Sequence, residues 1–462
     1  MIKKLKMTNF NWIFFRQSLK ILVPIVLSQV VVVAISFMDG IMVNSYERIG
    51  QPPKVDYAAV GIAGEIWFGF QAFFSATAII FSILYSHFAH NQKTFTDVAK
   101  FNFWYSLVVT TVITLIMYFA ASPIVNLFFL SSESTDSQII KQIATNYLKI
   151  IALGHLFISF AWAMLNPLAI KGKAKYALYV SLVSLGLNIV FDYIFIYELD
   201  LGAEGSAWAT TISYAVEFGI VTFFVWWHKG WFKGFWSTNI FIMNKFVVKE
   251  VLRRSWLFFT FVLMQVSIAA STFIYVNLYS TNIIKPMTVA YMVAGIMFSV
   301  FTGINRSVKI FIGTLLGEGK FEEARKTATK LWFSIVFLTS IFVVLALIST
   351  AFLPQAMLDS KSNIRVAKIM IYTFAGSVIA YTCAQYFSAI LETSGFQLVP
   401  NLLNYFFHTW LVIPMIFILS YLGLGWSFEV NFIVCQCLYF IPAILIYFDY
   451  KRYKWLKRIK EY

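Results

Sequence analysis

The sequence predicts an all-α, polytopic membrane protein whose twelve transmembrane helices form two pseudo-symmetric six-helix bundles. Three observations carry this. The 462-residue chain is 60% hydrophobic and 12% charged, with mean hydropathy +0.75. Apolar runs of spanning length recur twelve times, and the short turns between them alternate between strongly and weakly basic. About 20 residues of helix cross a hydrocarbon core roughly 30 Å thick. The runs place helices near 18–45, 58–86, 101–122, 143–166, 176–197, 206–227, 254–279, 288–316, 331–352, 366–391, 398–420 and 428–449. The second and eighth are long enough to tilt or project.

The first run, Lys20 to Tyr46, reads KILVPIVLSQVVVVAISFMDGIMVNSY, with Pro24 near its start and Asp39 near its end. It lacks a small-residue cleavage site and exceeds a signal-peptide core, so it reads as a retained helix. A carboxylate inside the hydrocarbon costs on the order of 2.5–3.5 kcal/mol on insertion scales, which marks Asp39 as a candidate functional residue.

Orientation follows from lysine and arginine, which accumulate on the cytoplasmic side. With the N-terminus inside, 26 of the 36 basic residues fall in the inner segments and eight in the outer loops, while Arg306 and Lys309 lie within a span. Both termini are therefore expected in the cytoplasm of a multi-pass cell-membrane protein. The net charge of +15 then requires no nucleic acid, because the excess is a topology signal that also attracts anionic headgroups.

The longest inner connection divides the chain into an N-terminal lobe (1–228), a cytoplasmic linker (229–253) and a C-terminal lobe (254–462). VLSQV at 26–30 is echoed by VLMQV at 262–266, and Phe95, Asp97 and Lys100 by Phe321, Glu323 and Lys326. LGAEGS at 201–206 is echoed by LGLGWS at 422–427. Six helices per repeat make the repeats parallel, a plan that places a substrate path between the halves.

Several classes are excluded or weakened. GTLLGEGKF at 313–321 fails the phosphate-loop spacing because Thr314 stands where glycine is needed, so no ATP-driven mechanism is expected. His87, His90, His155, His228 and His408 are scattered over different segments and suggest no metal signature. Cys383, Cys435 and Cys437 sit in apolar segments without a disulfide framework. No nucleophile–base cluster suggests an enzyme, and no cofactor is expected beyond a coupling ion, sodium or proton.

The chemistry must then lie in the intramembrane polar residues. At about 1.5 Å per residue, Asp39, Glu65 and Asp192 all fall in the outer half of the N-terminal lobe. Asn188 precedes Asp192 by four residues, so both share a helical face. Such oxygens suit a sodium ion at Asp39, Asn188 and Asp192, and desolvated neighbouring carboxylates equally suit proton uptake. Glu65 lies close to the interface; Glu217, near mid-membrane, is an accessory candidate with His155 or a basic residue as a prospective partner. Arg306 and Lys309 are expected to snorkel toward the cytoplasm, or to line a substrate path.

Together these residues resemble the MATE family of multidrug and toxic compound extrusion transporters. The resemblance rests on Pro24 with MDGIMVNSY, on LNIVFDY followed by LGAEGSAWAT, and on the turns at Gly172 and Gly395. It implies a V-shaped pair of lobes exporting organic cations in exchange for sodium ions or protons. It assigns coupling to Asp39, Asn188, Asp192 and Thr210, with Tyr147 nearby, and a bend to the proline matching Pro24. Many members carry acidic residues in the seventh or tenth helix. Here the seventh offers Gln265 and the tenth Gln385, with no carboxylate before Glu392. Gln265, Arg306 and Lys309 are candidates for the substrate path. The two positive charges suit an anionic substrate better than a cationic one, so a flippase of lipid-linked precursors is the alternative, with a passive channel as a different class. A monomer with a small-molecule substrate is expected.

Overall fold

A computed structural model describes residues 12–47, 55–129, 135–227, 244–279, 281–395, 398–421 and 426–452. Each expected span is a helix. They are α1 (Trp12–Asn44), α2 (Val55–His87), α3 (Gln92–Phe119), α4 (Asp136–Ile170), α5 (Lys175–Glu198), α6 (Gly202–Trp227), α7 (Lys245–Tyr279), α8 (Ile284–Gly317), α9 (Phe321–Ser349), α10 (Lys361–Thr393), α11 (Leu402–Tyr421) and α12 (Phe428–Lys451).

Several helices begin a turn or more before the apolar run does, because backbone hydrogen bonding continues where side chains turn polar. At the start of α3, Asn91 caps the helix by accepting from the Thr94 amide at 3.2 Å. Glu322 and Glu323 occupy the first turn of α9, where carboxylates favour the helix dipole. Residues 245–253, expected as linker, are the opening turns of α7; residues 228–243 lie outside the described residues.

The ends of α4 and α8 repeat one device. Gly172 and Gly319 both adopt φ +75°, and the residue after each glycine donates back across the helix end. Lys173 N bonds Leu168 O at 2.9 Å, and Lys320 N bonds Leu315 O at 2.9 Å. A Cβ would oppose that left-handed backbone, so glycine terminates these helices sharply.

Within the N-terminal lobe α4 packs against α2, α3 and α6, while α5 packs against α1 and α6. In the C-terminal lobe α10 packs against α8 and α12. Across the lobes α1 runs along α8 and α7 runs along α2. The first helix of each bundle thus lies on the second helix of the other, as a pseudo-two-fold demands. Glycines permit close approach: a Cβ on Gly69 would stand 3.4 Å from Ala269, and one on Gly295 would stand 3.1 Å from Val33.

The lobes touch at both ends. At the end where α1 begins, here termed the basic end, the Ser18 and Ser334 hydroxyls are 2.7 Å apart, and His87 Nε2 lies 2.8 Å from Thr393 O. At the opposite end Asn277 Nδ2 donates to Leu127 O at 3.3 Å. The outer surface is apolar, with Val108, Phe119, Val344 and Ile348 among its exposed side chains, as contact with lipid tails requires. The three cysteines are free. α1 runs through Pro24 as one continuous helix, with the proline inside it.

Candidate functional site

Three helices of the N-terminal lobe build the site. α1 brings Asp39, α5 brings Asn188 and Asp192, and α6 brings Thr210, all buried. The spacing Asn188 to Asp192 puts both on the face of α5 that meets α1 and α6. Thr210 Oγ1 donates to Asp39 Oδ2 at 2.9 Å and accepts from Asn188 Nδ2 at 3.2 Å. The Asp39 and Asp192 carboxyls are direct electrostatic neighbours. Asp39 and Asp192, both predicted from sequence, therefore do converge, from elements some 150 residues apart in the chain.

The local backbone is unusual there. α5 widens into a π-helical turn over Tyr193–Glu198 immediately after Asp192. α6 packs tightly on that turn because Gly205 has no side chain: a Cβ there would stand 2.7 Å from the Phe195 carbonyl. The second glycine in LGAEGS, Gly205, is thus a packing requirement of the site.

Asp39 Oδ1, Asn188 Oδ1 and both Asp192 carboxyl oxygens are buried without a hydrogen-bond partner. Buried acceptors in such concentration are costly unless a donor or cation joins them. These oxygens would hold a proton or a hard monovalent cation. No cluster of three histidine, cysteine, aspartate or glutamate side chains suited to other metals occurs among the described residues. Tyr147 is an electrostatic neighbour of Asp39 and Asp192 and lies beside Ser206.

The other candidates separate from this centre. Glu65 is half-buried; its Oε2 accepts from Thr272 at 3.3 Å in a cleft with Thr288, Tyr291 and Phe128 between α2, α7 and α8. Glu217 is fully buried and both its oxygens lack hydrogen bonds, so the expected pairing with His155 does not form. Its polar neighbours are Ser184 and Tyr214, while the His155 ring packs edge-on against Phe74, with 6.3 Å between centroids. The side chain of Gln265 lies outside the described residues. His408, buried in α11, opens a π-helical turn over His408–Val412.

Arg306 and Lys309 do not snorkel. Lys309 is 1% exposed and Arg306 8%, because protein rather than lipid surrounds both. The Arg306 guanidinium sits 5.4 Å over the Trp162 ring of the other lobe, a cation–π contact. Lys309 opens a second π-helical turn, Lys309–Gly313, and is an electrostatic neighbour of Glu392 on α10. Sequence reasoning missed the Lys309–Glu392 relation and the π turns. The two charges are far apart in sequence, and π turns leave no trace in hydrophobic periodicity; each of the three does contain or directly follow a buried polar residue.

Comparison with known proteins agrees with this architecture. The Klebsiella pneumoniae multidrug resistance protein MdtK is 26% identical over 224 residues, a match covering 46% of this chain and 44% of that protein, less than half the relative's length. The probable multidrug resistance protein NorM of Streptococcus pneumoniae is 24% identical over 327 residues, covering 69% of each chain. In fold, the structure of a MOP superfamily transporter from Pyrococcus furiosus superposes with a TM-score of 0.77 at 18% identity, over 97% of each chain. The MatE family model matches residues 24–194 and 257–418, one stretch per lobe. On that match, extending over most of its length, the chain belongs to the MatE family.

Proposed function

We propose that this protein is a secondary active exporter of amphipathic cationic small molecules, driven by antiport with sodium ions or protons and working by alternating access between its lobes. The observation that carries the reading is the Asn188–Thr210–Asp39 hydrogen-bond chain with Asp192 beside it. This is a buried, acceptor-rich site with no lysine or arginine paired to it among the described residues. In this reading a cation entering from outside neutralises Asp39 and Asp192 and stabilises one lobe arrangement over the other. An ion can drive substrate out only through such a difference in affinity. One elementary charge moving through 100 mV supplies about 2.3 kcal/mol, comparable with the cost of exposing one intramembrane carboxylate. Pro24 is the proposed flexing point of α1, because proline removes a backbone hydrogen bond. The protein is proposed to act as a monomer with both termini in the cytoplasm.

The test is transport in proteoliposomes with sodium and proton gradients imposed separately. Asp39→Asn is expected to abolish gradient-driven efflux of a fluorescent organic cation while the protein still purifies as a folded species. Unchanged efflux would overturn the assignment.

A second reading, translocation of lipid-linked anionic precursors, is favoured by the buried Arg306 and Lys309 at the lobe interface. Headgroup-labelled lipid moved by the wild type and not by Arg306→Gln would favour it over cation export.

A further inference from the structure

Glu217 is a buried acidic group that the exchange site does not use. It is fully buried, neither carboxyl oxygen has a hydrogen-bond partner, and no ion pair with a basic side chain reaches it among the described residues. An intramembrane carboxylate left so bare calls for a ligand of its own.

The surroundings supply oxygen. Ser213, four residues earlier on the same face of α6, is fully buried and its Oγ also lacks a partner. From α5, Ser184 lies beside Glu217, and its hydroxyl donates to Ser213 O in a long contact of 3.4 Å. Tyr214 is an electrostatic neighbour of both Asp39 and Glu217. The helix registers continue the connection. Thr210 and Glu217 are seven residues apart on α6, and Ser184, Asn188 and Asp192 recur every four on α5. The seam between α5 and α6 is therefore lined with oxygen from the Asp39–Asp192 site toward the basic end.

We propose that Glu217, with the hydroxyls of Ser213 and Ser184, forms a second buried site for a monovalent cation, joined to the Asp39–Asp192 site through the α5–α6 seam. The inference rests on the reading of the Asp39–Asp192 pair as a cation site and extends it: a cation arriving there has an onward station deeper in the lobe. With a proton as cargo, the acid proton of Asp192 passes to the Glu217 carboxylate and Asp192 is left ionised. With sodium, the ion exchanges one set of oxygens for the other. Each lobe cycle would then carry up to two cations rather than one.

Cation occupancy of the purified full-length protein in lipid nanodiscs tests this. Sodium-22 equilibrium binding counts sodium, and pH titration of the infrared carboxylic-acid absorption counts buried protons. Glu217→Gln, which keeps the shape and removes the charge, is expected to lose one cation per protein by one of these readouts and to leave the Asp39–Asp192 signal in place. Ser213→Ala, which keeps the carboxylate, is expected to weaken the second cation at least tenfold, and it serves if Glu217→Gln does not fold. Wild-type occupancy and affinity in the variants would overturn the second site. If Asp39→Asn loses a cation and Glu217→Gln does not, the second site falls and the exchange reading stands. If Glu217→Gln loses one and Asp39→Asn does not, the second site stands and the Asp39 assignment falls.

Discussion

Thr210 shows how much of this site rests on one small side chain. Its hydroxyl donates to Asp39 and accepts from Asn188, fixing the orientation of a carboxylate and an amide that come from different helices. Leaving a buried polar group without its partner costs about 1–3 kcal/mol. Thr210→Val keeps the branched shape and removes the hydroxyl, so with sodium as the coupling ion of the proposed exchange its affinity is expected to fall on the order of tenfold, the change that about 1.4 kcal/mol produces. Sodium titration followed by intrinsic fluorescence measures this, and an unchanged affinity would remove Thr210 from the site. Lys309 makes the complementary point. A buried ammonium near Glu392 means that the carboxylate at the end of α10 already has a positive neighbour, whereas no ion pair with a basic side chain reaches Asp39 or Asp192 among the described residues.

Among the elements, α8 carries the most interface. It runs along α1, packs on α10 and closes against the end of α2. At that closure Gly317 lies directly on the backbone of His87: an added Cβ would stand 2.6 Å from the His87 carbonyl oxygen and 3.0 Å from its Cα. Backbone cannot yield as a flexible side chain can, and overpacking of this kind costs about 1–3 kcal/mol. Gly317→Ala is therefore expected to hold the basic end apart. A cysteine-reactive probe applied from that side should label a reporter at Thr393→Cys faster in the Gly317→Ala background than without it, in protein lacking the native cysteines. Equal labelling rates would show that the α2–α8 contact does not govern access. The three π-helical turns, at Tyr193–Glu198, Lys309–Gly313 and His408–Val412, place irregular backbone beside buried polar side chains in both lobes, where such turns often accompany function.

At the scale of the molecule, the lobes are joined at both ends of the bundle, so alternating access requires that one set of contacts break while the other holds. The Ser18–Ser334 contact at the basic end offers a direct probe, since their hydroxyls are 2.7 Å apart and disulfide formation needs Cβ atoms about 3.5–4.5 Å apart. Ser18→Cys with Ser334→Cys, in protein lacking the native cysteines, is expected to cross-link under oxidation and to block transport reversibly, with activity restored by reductant. Full transport in the cross-linked state would mean that the basic end need not open.

The number of helices, their order and the fold class were legible in the chain because burial in lipid forces long uninterrupted apolar runs, and only polar turns can separate them. Asp39 and Asp192 were legible as candidates for the same reason: a carboxylate stands out where charge is expensive. Thr210 and Tyr147 gave no such signal, since hydroxyls are ordinary inside membrane helices, and only family resemblance pointed to them. Which polar residues meet was decided by tertiary structure alone. Helix packing turns Asp39 toward Asp192, leaves Glu217 without His155, and holds Arg306 over Trp162 instead of letting it reach the headgroups. Periodicity reports which face of a helix is polar; the rotation and close approach of neighbouring helices, set by glycines such as Gly205 and by π turns, determine what that face touches.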